Sequence, residues 1–283
     1  MEASVESLTQ ELLAHRPWTA LTGAGISAAS GIPTYRDHEG RWLGGQPIQH
    51  QEFLNDEEKR RRYWCRSTLG WPRVAKATAN PTHLALTTLQ QAGLLNGVIT
   101  QNVDRLHQRA GTDNVIDLHG RLDQVRCLAC NTVFLRSVIQ EWLEQHNALP
   151  HLGSVTVRPD GDAELPSTFI DAFVVPKCSL CAGALMPNVV FFGGSVPTDI
   201  TQAGFELIDA SNGLLVIGTS LSVFSGLRFC RYAADQKKRL VILNQGPTRA
   251  DALCQRKYES DSFTLLEICA AELMERSSEP TYA

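Results

Sequence analysis

The sequence predicts an α/β fold, a Rossmann-like, doubly wound parallel sheet with a smaller module inserted into it. Nearly all-apolar, strand-like runs alternate with segments of helical spacing, a pattern typical of parallel sheets that helices cover on both faces. The runs lie at residues 18–21, 98–100, 115–116, 214–217 and 240–243. Residues 123–185 break this alternation with paired cysteines and a Pro/Gly/Asp-rich passage, which indicates a separate module.

Length and composition are those of an ordinary globular protein. The 283 residues are 43% hydrophobic and 20% charged, and the length favours one large domain with a smaller satellite. A formal net charge of -4 gives no electrostatic reason to expect nucleic acid or an anionic membrane as a partner. We find neither a secretory signal nor an apolar run near ~18 residues. We expect a cytoplasmic monomer, with the mitochondrial matrix as the alternative location for a eukaryotic source.

A glycine-rich turn follows the first strand-like run. Residues 23–28, Gly-Ala-Gly-Ile-Ser-Ala, match the Gly-x-Gly-x-x-Gly/Ala pattern, whose glycines let backbone N–H groups approach a pyrophosphate at a helix N-terminus. A dehydrogenase would also close a second strand with an acid about 20 residues later. Here residues 36–42 read Arg-Asp-His-Glu-Gly-Arg-Trp, which is not a strand pattern. The turn predicts a dinucleotide site and leaves hydride transfer as an alternative.

Polar residues directly follow the other four strand-like runs. In a doubly wound sheet these strand ends share one edge, and ligands bind there. The residues are Gln101, Asn102 and Asp104 after the second run, His119 after the third, Gly218, Thr219 and Ser220 after the fourth, and Asn244 and Gln245 after the fifth. We predict that they face the glycine turn across one site. His107 lies between the second and third runs, and we predict a structural role for it, away from the strand ends.

Two Cys-x-x-Cys pairs are the most specific local signal in the chain. Two thiolates three residues apart can bind one ion, and two such pairs form a tetrahedral site suited to zinc. The pairs are Cys127 with Cys130 and Cys178 with Cys181. Four thiolates leave no position for water, so the predicted Zn²⁺ is structural. The alternatives are a redox role or a chance pattern; Cys65, Cys230, Cys254 and Cys269 are predicted to be buried apolar residues.

These motifs together resemble the sirtuin family of NAD-dependent protein deacylases. The matching segments, in order along nearly the whole chain, are residues 23–37, 100–111, 118–120, both cysteine pairs, 187–194, 218–223 and 243–246. The long spacing between the cysteine pairs and the segment 62–72 resemble the class II, lipoamidase-like branch, which includes bacterial relatives. The resemblance implies a bacterial class II enzyme that consumes NAD as a co-substrate and binds acyl-lysine proteins or peptides.

The resemblance also implies a role for the polar strand ends. The amide oxygen of the acyl-lysine attacks C1′ of the nicotinamide ribose, nicotinamide leaves, and the acyl group ends on ADP-ribose. Asp104 would hold the nicotinamide carboxamide, while Asn102 and Gln101 would contact the nicotinamide ribose and its ordered water. His119 would be the general base that relays a proton from the ribose hydroxyls, a task suited to a near-neutral imidazole.

Two larger sets of residues follow from the same resemblance. The NAD-binding set comprises Gly23, Ala24, Gly25, Ser27, Tyr35 and Arg36 on the diphosphate and nicotinamide side, with Gly218, Thr219, Ser220, Asn244 and Gln245 on the phosphate and adenosine side. The substrate set comprises Val189, Phe191 and Gly193, in a segment that pairs with peptide backbone by β-augmentation. Gly194 stands where the family usually carries an acid.

Tyr63 and Arg66 are the candidate residues for acyl selection. Their spacing resembles that of desuccinylase-type members, in which a phenol and a guanidinium bind an acyl carboxylate. The lipoamidase-like surroundings indicate bulkier acyl groups instead. We therefore expect acidic or extended acyl groups, of the succinyl, glutaryl or lipoyl type, to be better substrates than acetyl. The alternative is that Tyr63 packs in the core and that Arg66 is a solvated or ion-paired helix residue.

Three units and three functions complete the sequence-based hypothesis. We predict a Rossmann-like NAD-binding domain from residues 1–34, 80–122 and 186–283, a cofactor loop with a helical module at 35–79, and a zinc-binding module with the class II insertion at 123–185. The favoured function is NAD-dependent lysine deacylation. An NAD-dependent ADP-ribosyltransferase would use the same C1′ electrophile, and a non-catalytic NAD-sensing scaffold would have no need of His119.

Overall fold

The structure of the chain is a computed structural model that describes residues 2–34, 47–148, 167–259 and 262–278. Its elements in chain order are α1 Glu2–Ala14, β1 Trp18–Thr22, a 3-10 helix Ala24–Ser30, α2 His50–Asn55, α3 Glu57–Lys76, α4 Pro81–Gln91, β2 Leu95–Thr100, α5 Leu106–Arg109, β3 Val115–Asp117, β4 Gly120–Cys127, β5 Val133–Leu135, α6 Arg136–His146, α7 Ser167–Asp171, β6 Leu185–Val189, α8 Thr198–Asp209, β7 Gly213–Ile217, α9 Phe224–Asp235, β8 Arg239–Leu243, β9 Arg256–Tyr258 and α10 Ser262–Ser278.

The larger sheet has six parallel strands in the order β3-β2-β1-β7-β8-β9. The five predicted runs are five of these strands, so the α/β, Rossmann-like prediction is confirmed. The chain winds outward from β1 first to β2 and β3 and then to β7, β8 and β9. That reversal places a crevice at the carboxyl end of β1, where ligands bind in folds of this type. The sixth strand, β9, was not predicted because its three residues are mostly polar.

Side chains of each central strand alternate between two separate cores. Ala20 belongs to a core shared with α1, α4 and α10, whereas its neighbour Leu21 belongs to a core shared with α8 and α9. Each face of the sheet is therefore covered by helices, which explains why the strands lack the polar alternation of a half-exposed sheet. Within the described part of the chain, no helix is long and apolar enough to cross a bilayer.

The smaller module contains an antiparallel sheet of three strands in the order β5-β4-β6. The pairing of β4 with β6 sets Cys127 opposite Leu185 and brings the two cysteine pairs together. Helix α6 covers this sheet through Leu143, and Trp64 of α3 is buried in the same core. This arrangement confirms the predicted smaller module and helical insertion, while the exact division of the chain into three units stays a prediction.

Candidate functional site

The carboxyl ends of β1, β2, β3, β7 and β8 open into one cavity of about 970 Å³. The predicted residues that line it are Gly23, Ala24, Gly25, Ser27, Gln101, Asn102, Asp104, His119, Gly218, Thr219, Ser220, Asn244, Gln245, Tyr63, Val189, Phe191 and Gly193. Tyr35 and Arg36 lie outside the described residues. The cavity thus collects polar groups from sequence positions more than two hundred residues apart, as expected for the edge of a doubly wound sheet.

The glycine turn is packed directly against the loop that follows β7. A Cβ atom on Gly25 would lie 2.8 Å from the carbonyl oxygen of Gly218, and one on Gly23 would lie 2.5 Å from Cβ of Thr219. The N–H of Gly25 donates to the Gly218 carbonyl at 2.9 Å. These two glycines are therefore required by backbone packing within the protein. The turn then continues as a 3-10 helix, where the motif commonly opens an α-helix.

Ser27 links Asn102 to Asp104 at the end of β2. The amide of Asn102 donates to the Gly23 carbonyl and to Oγ of Ser27, each at 3.0 Å. The Ser27 hydroxyl in turn donates to Oδ2 of Asp104 at 2.7 Å, and the N–H of Leu106 donates to Oδ1 at 2.9 Å. All three side chains are buried. The network fixes the orientation of one amide and one carboxylate at the cavity wall.

Gln101 connects three strand ends. Its side-chain amide donates to the carbonyl of Thr22 at 3.2 Å and to Oγ1 of Thr219 at 3.0 Å. Its backbone carbonyl lies 2.9 Å from Nδ1 of His119. The residue that follows β2 therefore contacts the end of β1, the loop after β7 and His119 in the turn after β3, which makes it the central polar link of the site.

Each nitrogen of the His119 imidazole has one partner. Because the Gln101 carbonyl can only accept, Nδ1 carries the proton and Nε2 is the unprotonated nitrogen. Nε2 lies 2.8 Å from Oγ of Ser225, whose hydroxyl must then donate. Burial lowers the pKa of His119, and the hydrogen bond to Gln101 opposes that shift only in part. The ring is thus a neutral base at pH 7, with its unprotonated nitrogen facing the Ser225 hydroxyl.

His107 is a core residue, as predicted, but it does contact a strand end. It is only 1% exposed, and its Nε2 lies 2.9 Å from Oγ1 of Thr22, the last residue of β1. Its ring also meets that of the buried His83 edge to face, with centroids 4.9 Å apart. Burial lowers the pKa of His107 to about 3 and that of His83 to about 4. His83, for which no role was predicted, is part of the same buried support under the site.

The four predicted cysteines converge at the base of the smaller module. Their Sγ atoms all lie within 4.8 Å of one another, with 3.5 Å between Cys127 and Cys181 and 3.7 Å between Cys130 and Cys178. A tetrahedron with Zn–S bonds of about 2.3 Å has S–S edges of about 3.8 Å. The donor set and its spacing fit a structural zinc site with four protein ligands. Of the other cysteines, Cys65, Cys230 and Cys269 are buried and Cys254 is half-buried.

The substrate-side residues form an aromatic wall beside His119. Val189 ends β6, and the N–H of the next residue donates to the carbonyl of His119 at 2.8 Å. The Phe191 ring packs on Phe53 and Tyr63, with centroids 5.0 and 5.2 Å away. Gly193 has a φ of 75°, a left-handed conformation that favours glycine. Tyr63 lines the cavity, whereas Arg66 is 7% exposed and is not among the lining residues.

Several residues of the cavity were not predicted from the sequence. Ile48, Ser195, Ser222, Ser225 and Arg228 all line it. Ser225 is the one that contacts a predicted catalytic group. It lies in the first turn of α9, a full loop beyond the end of β7, so a search confined to residues that directly follow strands passes over it.

A family model and individual relatives both match this chain over most of its length. A model of the Sir2 family matches residues 23–225. The "NAD-dependent protein deacetylase" of Xanthomonas axonopodis pv. citri (strain 306) is 47% identical over 245 residues, which are 87% of this chain and 84% of the relative. The "NAD-dependent protein deacylase SIR4" of Monosiga brevicollis is 47% identical over 259 residues, 89% of this chain and 83% of the relative.

Solved structures of the same kind share the fold. The structure described as "Sir2-p53 peptide-NAD+" superposes with a TM-score of 0.74 at 29% identity, and the match covers 96% of this chain and 98% of that one. That protein was thus solved with both a peptide and NAD+. The similarity extends over both sheets of the present chain, because nearly its full length is covered.

Proposed function

This chain belongs to the Sir2 family of NAD-dependent protein deacylases, and from that premise we propose that its cavity transfers the acyl group of an acyl-lysine to ADP-ribose, with His119 as the general base. The observation that carries the proposal is the unprotonated Nε2 of His119 at the wall of a cavity that also holds Asn102 and Asp104. Mere binding of NAD has no need of a base placed in this way.

The first step needs alignment more than acid–base chemistry. A lysine amide oxygen is a weak nucleophile, so holding it near C1′ of the ribose supplies much of the rate. The link through Ser27 fixes the Asn102 amide and the Asp104 carboxylate at the cavity wall. We assign these two groups to the nicotinamide ribose and to the nicotinamide carboxamide. The bond from C1′ to nicotinamide breaks as the bond to the amide oxygen forms.

The second step needs a base. A ribose hydroxyl gives up its proton to Nε2 of His119 as it attacks the carbon of the imidate that the first step forms. The C–N bond to lysine then breaks, lysine leaves as the free amine, and water supplies the oxygen that completes O-acyl-ADP-ribose. Since burial lowers its pKa, the imidazole is more fully unprotonated at neutral pH than that of an exposed histidine. When the ring gains the proton, the Gln101 carbonyl still accepts from Nδ1, so the charged ring keeps its orientation.

The four cysteines would hold a Zn²⁺ that stabilises the smaller module and takes no part in the chemistry. Four thiolates of this chain would complete its coordination, so no position would remain for water or substrate. Such an ion would link the ends of β4 and β6 that lie next to the cysteines.

The aromatic wall supports extended acyl groups over acetyl. Ile48, Tyr63, Val189 and Phe191 present apolar surface to the cavity. An acidic acyl group would need the guanidinium of Arg66, whose side chain is buried on α3 and is not among the lining residues. We therefore propose lipoyl-type and other long acyl-lysines as the preferred substrates, in keeping with a class II, lipoamidase-like bacterial enzyme. We also propose a cytoplasmic location and a monomeric state, which light scattering on the purified chain tests.

The deciding experiment is mass spectrometry of acyl-lysine peptides incubated with NAD. Acetyl, succinyl, glutaryl and lipoyl peptides are compared at equal concentration, for the wild type and for His119→Ala. We expect O-acyl-ADP-ribose from the wild type, fastest from the lipoyl peptide, and a loss of about 10²–10⁴-fold in the variant. Undiminished deacylation by His119→Ala contradicts the assignment of the base. ADP-ribosylated protein in place of O-acyl-ADP-ribose would reveal a transferase, and fastest turnover of acetyl-lysine would contradict the acyl preference.

A further inference from the structure

The function proposed above makes no use of the contact between the first turn of α9 and the imidazole of His119. We propose that Ser225 is a positioning residue for His119, which holds the imidazole so that Nε2 points at the ribose hydroxyl. The inference rests on the proposed function, because it requires His119 to be the base. It adds a residue from a different element, separated from His119 by 106 positions in the chain.

A histidine ring needs such a partner because its own torsion preference does not orient it. The χ2 angle of histidine is broad, so the plane of the ring is set by hydrogen bonds at its two nitrogens. In this structure one partner is the Gln101 carbonyl at Nδ1, at 2.9 Å, and the other is the Ser225 hydroxyl at Nε2, at 2.8 Å. Without the second partner, only the bond at Nδ1 remains to hold the ring.

The close packing of α9 places Ser225 at this position. A Cβ atom on Gly226 would lie 2.6 Å from Oε1 of Gln101, so the glycine lets the first turn of α9 approach that side chain. Gln101 is itself held by Thr22 and Thr219. The first turn of α9 thus packs on Gln101, the residue whose carbonyl accepts from Nδ1 of His119. Both partners of the imidazole are therefore positioned by one contact between α9 and the residue that follows β2.

The Ser225 hydroxyl serves the imidazole and does not cap the helix. Serine is a common helix N-cap, but the N-cap position of α9 is Val223, and no side chain caps this helix. Ser225 is 9% exposed and lines the cavity together with His119. Its hydroxyl donates along the Nε2 lone pair, so it fixes the plane of the ring until a ribose hydroxyl of NAD takes over the bond to Nε2.

The test separates the two chemical steps. Exchange of labelled nicotinamide into NAD, in the presence of acyl peptide, needs only cleavage at C1′ and precedes the action of the base. Formation of O-acyl-ADP-ribose needs both steps. The variants are Ser225→Ala, Ser225→Thr and His119→Ala. Ser7→Ala serves as the control, because it removes another half-buried serine hydroxyl whose hydrogen bond, to Tyr258 at 3.0 Å, lies outside the cavity lining.

We expect Ser225→Ala to form O-acyl-ADP-ribose about tenfold more slowly, while nicotinamide exchange stays within about twofold of the wild type. Ser225→Thr, which keeps the hydroxyl, should recover most of the loss, and Ser7→Ala should change neither rate. Equal rates in wild type and Ser225→Ala would overturn the inference. A parallel fall of both rates in Ser225→Ala would also overturn it, because loss of a purely structural residue has that effect. A Ser225→Thr variant as slow as Ser225→Ala would overturn it too.

The His119→Ala variant tells the two hypotheses apart. If it keeps full O-acyl-ADP-ribose formation, the proposed function has lost its base and the role of Ser225 fails with it. If His119→Ala abolishes product formation while Ser225→Ala behaves as the wild type, only the positioning role of Ser225 is wrong.

Discussion

The molecule has two clusters of polar side chains, and they differ in how much bonding capacity they leave for a ligand. At the base of the smaller module, four cysteine side chains face one another in an arrangement that would fill every position of one zinc ion. At the edge of the parallel sheet, the groups of Ser27, Asn102, Asp104 and His119 are oriented by neighbours, yet they still line an open cavity. The first cluster is closed and can only stabilise. The second leaves bonding capacity for a ligand, and this difference separates a structural site from a catalytic one.

Removing one thiolate should have the largest effect of any change to either cluster. Structural zinc supplies about 10–16 kcal/mol in small metal-dependent domains, so Cys178→Ser should lose its zinc and lower Tm by at least roughly 10 °C. Bound zinc by mass spectrometry and a thermal melt measure both effects. Cys254→Ser is the matched control, since that thiol lies outside the cluster. A Cys178→Ser protein with a full complement of zinc and an unchanged Tm would contradict the closed, structural character of this cluster.

Low pH should destabilise the part of the fold beneath the open cluster, where His107 and His83 are buried. The pKa values of His107 and His83 are lowered to about 3 and about 4 in the folded chain, against 6.5 for an ordinary histidine. The unfolded chain therefore takes up protons first, and stability that is complete above pH 6.5 is lost as the pH falls from there to about 4. Each group contributes a slope of up to about 1.4 kcal/mol per pH unit.

The variant His107→Gln isolates this contribution from acid release of zinc, which both proteins share. Glutamine keeps a donor for Thr22 but cannot gain a proton. Denaturant unfolding between pH 7 and pH 4.5 should show a slope shallower than that of the wild type by up to about 1.4 kcal/mol per pH unit. If the slopes coincide, the buried histidines do not account for the sensitivity of this half of the molecule to acid.

Loss of the shared hydroxyl in the open cluster should lower both activity and stability. Ser27→Ala removes the link between Asn102 and Asp104, so both groups lose part of their orientation. We expect kcat/KM to fall by about 10²-fold and the free energy of unfolding to fall by about 1–3 kcal/mol. Ser30→Ala, in the same 3-10 helix, is the control because Ser30 accepts a hydrogen bond from Asn80 and, among the described residues, does not join Asn102 to Asp104. Equal activity of the two variants would show that the link is dispensable.

The smallest effect should come from crowding the closed cluster without removing a ligand. A Cβ atom on Gly183 would lie 2.7 Å from Cβ of Ala129 and 3.0 Å from Sγ of Cys127. We expect Gly183→Ala to bind zinc about tenfold more weakly in a chelator competition. The double variant Gly183→Ala with Ala129→Gly should restore affinity, because it removes the nearer of the two obstacles. An unaltered affinity in the single variant would mean that the cluster is less tightly packed than its distances indicate.

The sequence predicted the components of both clusters better than the contacts between them. The Cys-x-x-Cys pairs and the polar strand ends are local patterns, and each led to residues that the fold brings together. The hydrogen bond between His119 and Ser225 joins positions 106 residues apart, so no local pattern contains it. The contact of His107 with Thr22 was missed for a similar reason, because it depends on which side of β1 the short helix α5 lies.

The glycines also show that local sequence patterns do not predict contacts between distant segments. The motif assigned Gly23 and Gly25 to the approach of a pyrophosphate, while the structure shows that both are also needed for the approach of the loop after β7. Gly226 belongs to no motif, yet a side chain there would meet Gln101. The need for such a glycine arises only when two distant segments pack together, which is a property of the fold and not of the local sequence.

The central position of β1 in the sheet determines how long this strand lacks a partner while the chain is being synthesised. This strand occupies residues 18–22, but one of its two neighbours, β7, pairs Gly213 with Trp18. A ribosome that adds about 5–20 residues per second makes β1 roughly 10–40 s before β7 leaves the exit tunnel. Throughout that interval an apolar strand has one edge without a partner, so the nascent chain is at its most aggregation-prone long before its last residue is added.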